Sequence, residues 1–194
     1  MFYFLLKKLF LILTNIDYLV GMFDAHSLRW EDITSGLLEG KQYLEHIDSK
    51  RERIIHDSNY KAYTPEPAII EELREFFGDS QHDMRILTLG ATWCKTCAEV
   101  KPSLIRIIEA VNAPNLRVFL LGGVKTTMQS TEDDYSWARQ SPPEFNNPKF
   151  AVNQIPMVYF FDELGQCVTR IEKYPKNGLS YEHAILDIAR NFFT

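Results

Sequence analysis

The most constraining feature of the chain is a short apolar run, Met84 to Gly90, followed after three intervening residues by Cys94-Lys95-Thr96-Cys97. A brief, nearly continuous apolar run of this kind is what a buried strand requires. From Cys94 to Val111 the period changes: Val100, Leu104, Ile107, Ile108 and Val111 recur at three and four residues, which predicts a helix that Asn112-Ala113-Pro114 ends. Leu116 to Leu121 is a second apolar strand. Strand, helix and strand in this order imply a βαβ unit with a parallel pair, hence an α/β fold in which a buried strand points at the cysteines.

The flanking segments extend that frame. Thr64-Pro65 reads as an N-cap and first helical position, with Ile69, Ile70, Leu73, Phe76 and Phe77 forming an apolar face that ends before Gly78. Met157 to Phe161 and Cys167 to Ile171, joined through Gly165, predict a β-hairpin that adds an antiparallel edge. Ser180 caps a last amphipathic helix carrying Ile185, Leu186, Ile188, Ala189 and Phe192. Upstream, Asp32 to about Ile55 is expected to be one helix, with Ile33, Leu37, Leu44, Ile47 and Ile54 near heptad spacing, although Gly36 and Gly40 weaken it. Between Gly122 and Phe150 the chain is polar, with a short helix expected around Glu132 to Arg139 before the break at Ser141-Pro142-Pro143. The expected organisation is an N-terminal extension, 1–63, and a principal domain, 64–194, with an insertion at about 123–148.

Composition narrows the function. A net charge of -5 provides no electrostatic footprint for nucleic acid. Three cysteines are too few for a secreted disulfide framework. The five histidines lack the paired spacing of a zinc site, so no metal is expected. Lys7, Lys8, Asn15 and Asp17 interrupt the apolar stretch Met1 to Val20, leaving a run from Leu9 to Leu13 that is too short to span a bilayer. Met22 is a second candidate start. The expected location is the cytoplasm, with an exported or membrane-associated protein as the alternative if the Met1 segment is genuine.

Two cysteines three apart also occur in half of a zinc site or in an ordinary core, so their setting decides their meaning. At the start of a helix, free N–H groups and the macrodipole favour a negative sulfur, and this lowers a thiol pKa from about 8.5 toward about 3.5 to 7.5. Lys95 adds a neighbouring positive charge. Cys97 lies one helical turn from Cys94 on the same face and can close onto it.

These residues carry a family resemblance. Ala91-Thr92-Trp93-Cys94-Lys95-Thr96-Cys97, followed by Pro102, resembles the active-site strand, turn and kinked helix of the thioredoxin family, and Lys149 to Pro156 looks like its cis-proline segment. The resemblance covers roughly Thr64 to Thr194. It implies a thioredoxin-like three-layer α/β/α sandwich with a mixed central sheet and an N-terminal helical extension. It also implies a thiol–disulfide oxidoreductase in which Cys94 attacks a protein disulfide and Cys97 resolves the mixed disulfide. Trp93 would shield the sulfurs and offer an apolar contact to substrate, Lys95 and Thr96 would tune the pair, and Pro156, cis to Ile155, would pack beside it. The Ile155 backbone would pair with an extended substrate segment. No cofactor is expected; the expected partners are disulfide-containing proteins and an upstream dithiol reductase or oxidant, with no membrane partner, and the chain is expected to be a monomer.

The chain departs from the family pattern at two places. Thioredoxins carry a buried aspartate six residues before the nucleophilic cysteine, where this chain has Thr88, and Glu99 falls on a different helical face from Cys97. The second departure is the long polar stretch after Gly122, in which Tyr135 and Trp137 either line a substrate groove or anchor the insertion to the core. Cys167 reads as a small buried hydrophobe. The competing class is a protein-interaction module with the same fold, little turnover and the N-terminal helix as its contact surface.

Overall fold

The structure, a computed structural model, describes residues 25–78, 82–128 and 136–193. Five strands form one mixed sheet in the order β1-β3-β2-β4-β5, where β1 is Leu38–Glu39, β2 Met84–Leu89, β3 Leu116–Leu121, β4 Met157–Phe161 and β5 Cys167–Glu172. Strands β2 and β3 are parallel, in register from Met84 opposite Leu116 to Leu89 opposite Leu121. The remaining pairings are antiparallel: β1 with β3, β4 with β2, and β5 with β4. The protein is thus an α/β fold with a mixed sheet.

Alternation along the central strands sends side chains into two cores. Ile86, Val118, Leu120, Val158 and Phe160 face one side, and Leu87, Leu89, Leu121, Met157, Tyr159 and Phe161 the other. Helices α3 (Pro67–Gly78), α4 (Lys95–Val111) and α6 (Tyr181–Phe192) lay their apolar stripes on the first face. The second face is covered by Leu28, by Phe145 of the four-residue helix α5 (Pro143–Asn146), and by Phe150, Val152 and Ile155. The helix ends follow local chemistry. Asn112 closes α4 in the left-handed region at φ +52°, and the Ser180 hydroxyl accepts the His183 N–H at the start of α6.

The single helix expected from Asp32 to Ile55 does not form. Trp30–Asp32 is a 3-10 turn, Leu38–Glu39 pairs with β3, and α1 is only Gln42–Glu45. Gly40 adopts φ +51° and donates its N–H to Val118 O at 2.9 Å, turning the chain off the sheet edge. Ser49 then caps a new helix, α2, Lys50–Ala62. Its buried residue is His56, whereas Ile54, expected in the apolar stripe, is 59% exposed. Helix α3 starts at Pro67 rather than at Pro65, because the Glu66 N–H is taken by the Glu182 carboxylate and the first helical bond runs from Ile70 N to Glu66 O.

Of the helix expected at Glu132 to Arg139, residues 132–135, including Tyr135, lie outside the described residues. Ser136 to Ala138 are extended instead, with Thr127 N–H to Ser136 O at 2.8 Å and Ala138 N–H to Lys125 O at 2.7 Å. The Met1 to Val20 segment and Met22 also lie outside the described residues. Among the described residues no helix is long and apolar enough to cross a membrane.

Candidate active site

Strand β2 delivers the chain to the cysteines. Gly90 N–H donates to Leu121 O at 3.1 Å, one step beyond the end of the β2–β3 ladder, and Cys94 follows as the N-cap of α4. In that role its sulfur does what a capping oxygen does: Cys97 N–H donates to Cys94 Sγ at 3.3 Å. The two cysteines are unbonded and in contact, 2.8 Å apart. Cys94 keeps 9% of its surface exposed, whereas Cys97 is fully buried.

This asymmetry separates their acidities. The hydrogen bond from the Cys97 side chain lowers the Cys94 pKa most; backbone N–H groups of Cys97 and Thr96 and the charge of Lys101 add to it, and together they outweigh burial and bring it to about 7. Cys97 moves the opposite way: burial, then its bond to Cys94, push its thiol well above the ordinary range, and Lys101 opposes both. At neutral pH this polarity favours the thiolate at Cys94 and the protonated thiol at Cys97.

A second segment brings up the opposite wall. The Ile155–Pro156 peptide bond is cis, both residues are buried, and Cys94 Sγ lies 3.9 Å from the Ile155 carbonyl oxygen. The approach to this corner is held by hydrogen bonds. Tyr159 Oη donates to Phe150 O at 2.6 Å, and Arg170 Nη1 donates to both Phe150 O and Ala151 O, at 3.2 and 3.1 Å. Trp137 Nε1 donates to Val152 O, and its ring packs edge-on to Phe145. Trp137 therefore anchors the stretch after Gly122 to the cis-proline segment.

The other expected site residues occupy the rim. Trp93 is 46% exposed, and its Nε1 donates to Val124 O at 3.4 Å. Lys95 is exposed and Thr96 half-buried. The cation that faces both sulfurs from the interior is instead Lys101, one turn past Cys97 on α4, and it was not expected at the site. Its signal was present in the sequence, since a lysine four residues after Cys97 falls on the same helical face.

Lys101 is fully buried. Its Nζ donates to Gly90 O at 3.0 Å and Leu121 O at 3.1 Å, and sits 4.3 Å from the centre of the Tyr43 ring. Burial lowers its pKa to about 8, against the pull of the two sulfurs. Near it lies His56, whose Nε2 is 3.2 Å from Thr92 O and whose ring is 5.7 Å from that of Tyr43. Thr88 Oγ1, Tyr43 Oη and His56 Nδ1 are buried without a hydrogen-bond partner among the described residues.

Tyr174 was also missed: half-exposed, it donates its hydroxyl to Glu99 beside the first turn of α4. Cys167 is fully buried on β5, and burial raises its pKa to about 12, so it is a packed thiol without nucleophilic character.

The fold and site thus define an α/β protein with a polarised dithiol at a helix N-terminus. No known protein family matches the chain, and no curated protein matches it. Solved structures do. A Pseudomonas aeruginosa protein of unknown function is 17% identical over 85% of this chain and 87% of its own, with a TM-score of 0.48. An HIV epitope scaffold is 16% identical over 78% of this chain and 84% of its own, with a TM-score of 0.50. At such identity the likeness to the scaffold speaks to the fold alone.

Proposed function

We propose that the protein is a thioredoxin-like thiol–disulfide oxidoreductase acting on disulfides of other proteins. The observation that carries this reading is two unbonded cysteines 2.8 Å apart at a helix N-terminus, one slightly exposed and the other fully buried, a placement that lowers the first thiol's pKa and raises the second's. A structural pair in a core has no need of that polarity.

The Cys94 thiolate attacks one sulfur of the substrate disulfide, forming a Cys94–substrate bond and expelling the other substrate sulfur as a thiolate that takes a proton from solvent. Cys97 then loses its proton and attacks Cys94 Sγ, which breaks the mixed disulfide and releases the second substrate thiol. The substrate gains two electrons and the enzyme ends as a Cys94–Cys97 disulfide. An upstream dithiol restores the reduced pair. Trp93 and Tyr174, each about half exposed, and the Ile155 carbonyl beside Cys94 would receive an extended segment flanking the attacked disulfide. The cytoplasm, where thiols are kept reduced, is the compartment in which such a reductant is supplied.

Reduction of a model protein disulfide, driven by a small dithiol, tests the proposal. The wild-type chain accelerates the reaction, and Cys94→Ser returns it to the uncatalysed rate; equal rates for the two proteins would remove the enzyme reading.

A further inference from the structure

The second step of this mechanism needs a proton acceptor. Cys97 is fully buried and its thiol is held protonated, so a step in which it attacks as a thiolate is slow unless some group takes that proton. Thr88, six residues before Cys94, has no acidic group to offer. Glu99 is engaged with Tyr174 at the surface.

We propose that Lys101 serves this step: its buried side chain, as the neutral amine, accepts the Cys97 proton while Cys97 attacks the mixed disulfide on Cys94. The inference rests on the oxidoreductase reading and adds a residue to it. Three observations carry it.

The first is convergence. A Cβ placed on Gly90 would stand 2.7 Å from Cys97 Sγ and 3.2 Å from Lys101 Cε, so the two side chains crowd one point above a residue that has none. The second is valence. A neutral amine has two N–H bonds and one lone pair, and Gly90 O and Leu121 O occupy two positions around Nζ. The third position therefore holds either a lone pair or the transferable proton. The two carbonyls hold the nitrogen in place through either state, and the Tyr43 ring favours the charged one.

The third observation is the lack of a permanent counter-ion. Among the described residues no carboxylate is hydrogen-bonded or ion-paired to Lys101. From α4 and its cap it faces Cys97 and Cys94, from α1 Tyr43, and from α2 His56, with Glu52 and Asp57 acting on His56 rather than on Lys101. Burial raises the Tyr43 pKa, and burial, with Lys101 adding to it, lowers that of His56, so both are neutral around pH 7 and above. Among the described residues, the negative charges that act on the ammonium are those of the two sulfurs. When they join as a disulfide that charge is gone, and the ammonium releases its proton toward solvent.

The proton balance closes. In the attack, Cys97–SH and the amine become a thiolate and an ammonium; the thiolate forms the Cys94–Cys97 bond as the substrate thiolate leaves and is protonated. The ammonium, left beside a neutral disulfide, returns to the amine. Reduction by the upstream dithiol runs the same transfers in reverse.

The test separates the two steps with 5,5'-dithiobis(2-nitrobenzoate) as the disulfide, on the full chain. Attack by Cys94 releases one coloured thiolate and resolution by Cys97 the second. In Lys101→Met the first release slows at pH 7 by no more than the lost pull of the Lys101 charge on Cys94, whereas the second is expected to slow by at least about tenfold more and to recover as pH rises. Lys101→Arg keeps a charge that does not give up its proton, and its second release should be slow as well. A second release with wild-type rate and pH profile in either folded variant would overturn the proposal. Absence of the first release from the wild type would overturn the oxidoreductase reading, and this one with it. The same question can be put without a variant, by following the Lys101 Cε resonance through a pH titration. Its midpoint should be lower in the oxidised protein than in the reduced one, and equal midpoints would contradict the proposal.

Discussion

Gly90 and Cys97 are so close that any side chain on the glycine would collide with the sulfur, a Cβ falling 2.7 Å from Cys97 Sγ. Clearance, rather than backbone conformation, is what this position demands. Cys97 is a short, fully buried side chain of α4 and cannot swing away, so the strain of a methyl group must move the helix or the strand end. Gly90→Ala is expected to cost about 1–3 kcal/mol, read as a lower urea midpoint for the reduced protein. An unchanged midpoint would mean that the redox helix is held less tightly against β2 than the geometry requires.

The acidity of Cys94 makes a prediction for alkylation. With its pKa lowered to about 7, the rate of its reaction with iodoacetamide should rise with pH and level off above about pH 8, two units before an ordinary thiol would. Mass spectrometry of the peptides should find Cys97 and Cys167 unlabelled in the native protein, since both are fully buried. Labelling of Cys97 before Cys94 would reverse the assigned roles.

Holding Lys101 as an ammonium costs stability on the acid side. Its folded pKa, about 8, lies below the unfolded value near 10.5, so the penalty is fully present below pH 8 and is relieved as pH rises from 8 to 10.5. The full penalty is on the order of 3 kcal/mol. Lys101→Met lacks it. The stability of this variant relative to wild type should therefore be most favourable near pH 6 and decline by up to that amount toward pH 10, measured by urea unfolding of the reduced proteins. A difference independent of pH would mean that Lys101 is hydrated.

Glu144, buried at the start of α5, fastens the loop before β1. Its carboxylate accepts Thr34 N–H at 2.7 Å, Ser35 N–H at 2.9 Å and the Ser35 hydroxyl at 2.6 Å. Burial alone would raise its pKa, but these bonds and its own N–H hold it below the usual carboxylate value. The stability it contributes is present above the unfolded pKa, near 4.5, and is lost as pH falls through the lower folded value. Glu144→Ala should cost about 1–3 kcal/mol at pH 7, and the gap to wild type should narrow below pH 4 in thermal unfolding scans.

The parts of this fold that were legible in sequence are those where one element carries its own pattern. Strands β2 and β3, helices α4 and α6 and the β4–β5 hairpin are continuous apolar or helical-period runs bounded by Asn112, Gly165 and Ser180. The misread segment, 32–55, failed because its heptad-like spacing was assembled from separate elements. Ile33 and Leu37 pack on one face of the sheet, while Leu44 and Ile47 pack on the other. The pairing of Leu38 with Leu120 is a long-range event that no local period announces. At the site, Cys94, Cys97 and the Ile155–Pro156 corner were found by motif. Lys101 was not, because its partners are backbone carbonyls of Gly90 and Leu121, contributed by two strands, and a lysine within a helix reads as surface until those strands are placed.

The most direct test of the central claim is covalent trapping. Cys97→Ser, mixed with a disulfide-bonded protein, should accumulate a mixed disulfide whose peptide mass places the bond on Cys94 and which a small dithiol reverses, while the wild type accumulates none and is recovered with a Cys94–Cys97 disulfide. No adduct on Cys94, or one on Cys167 instead, would contradict the account.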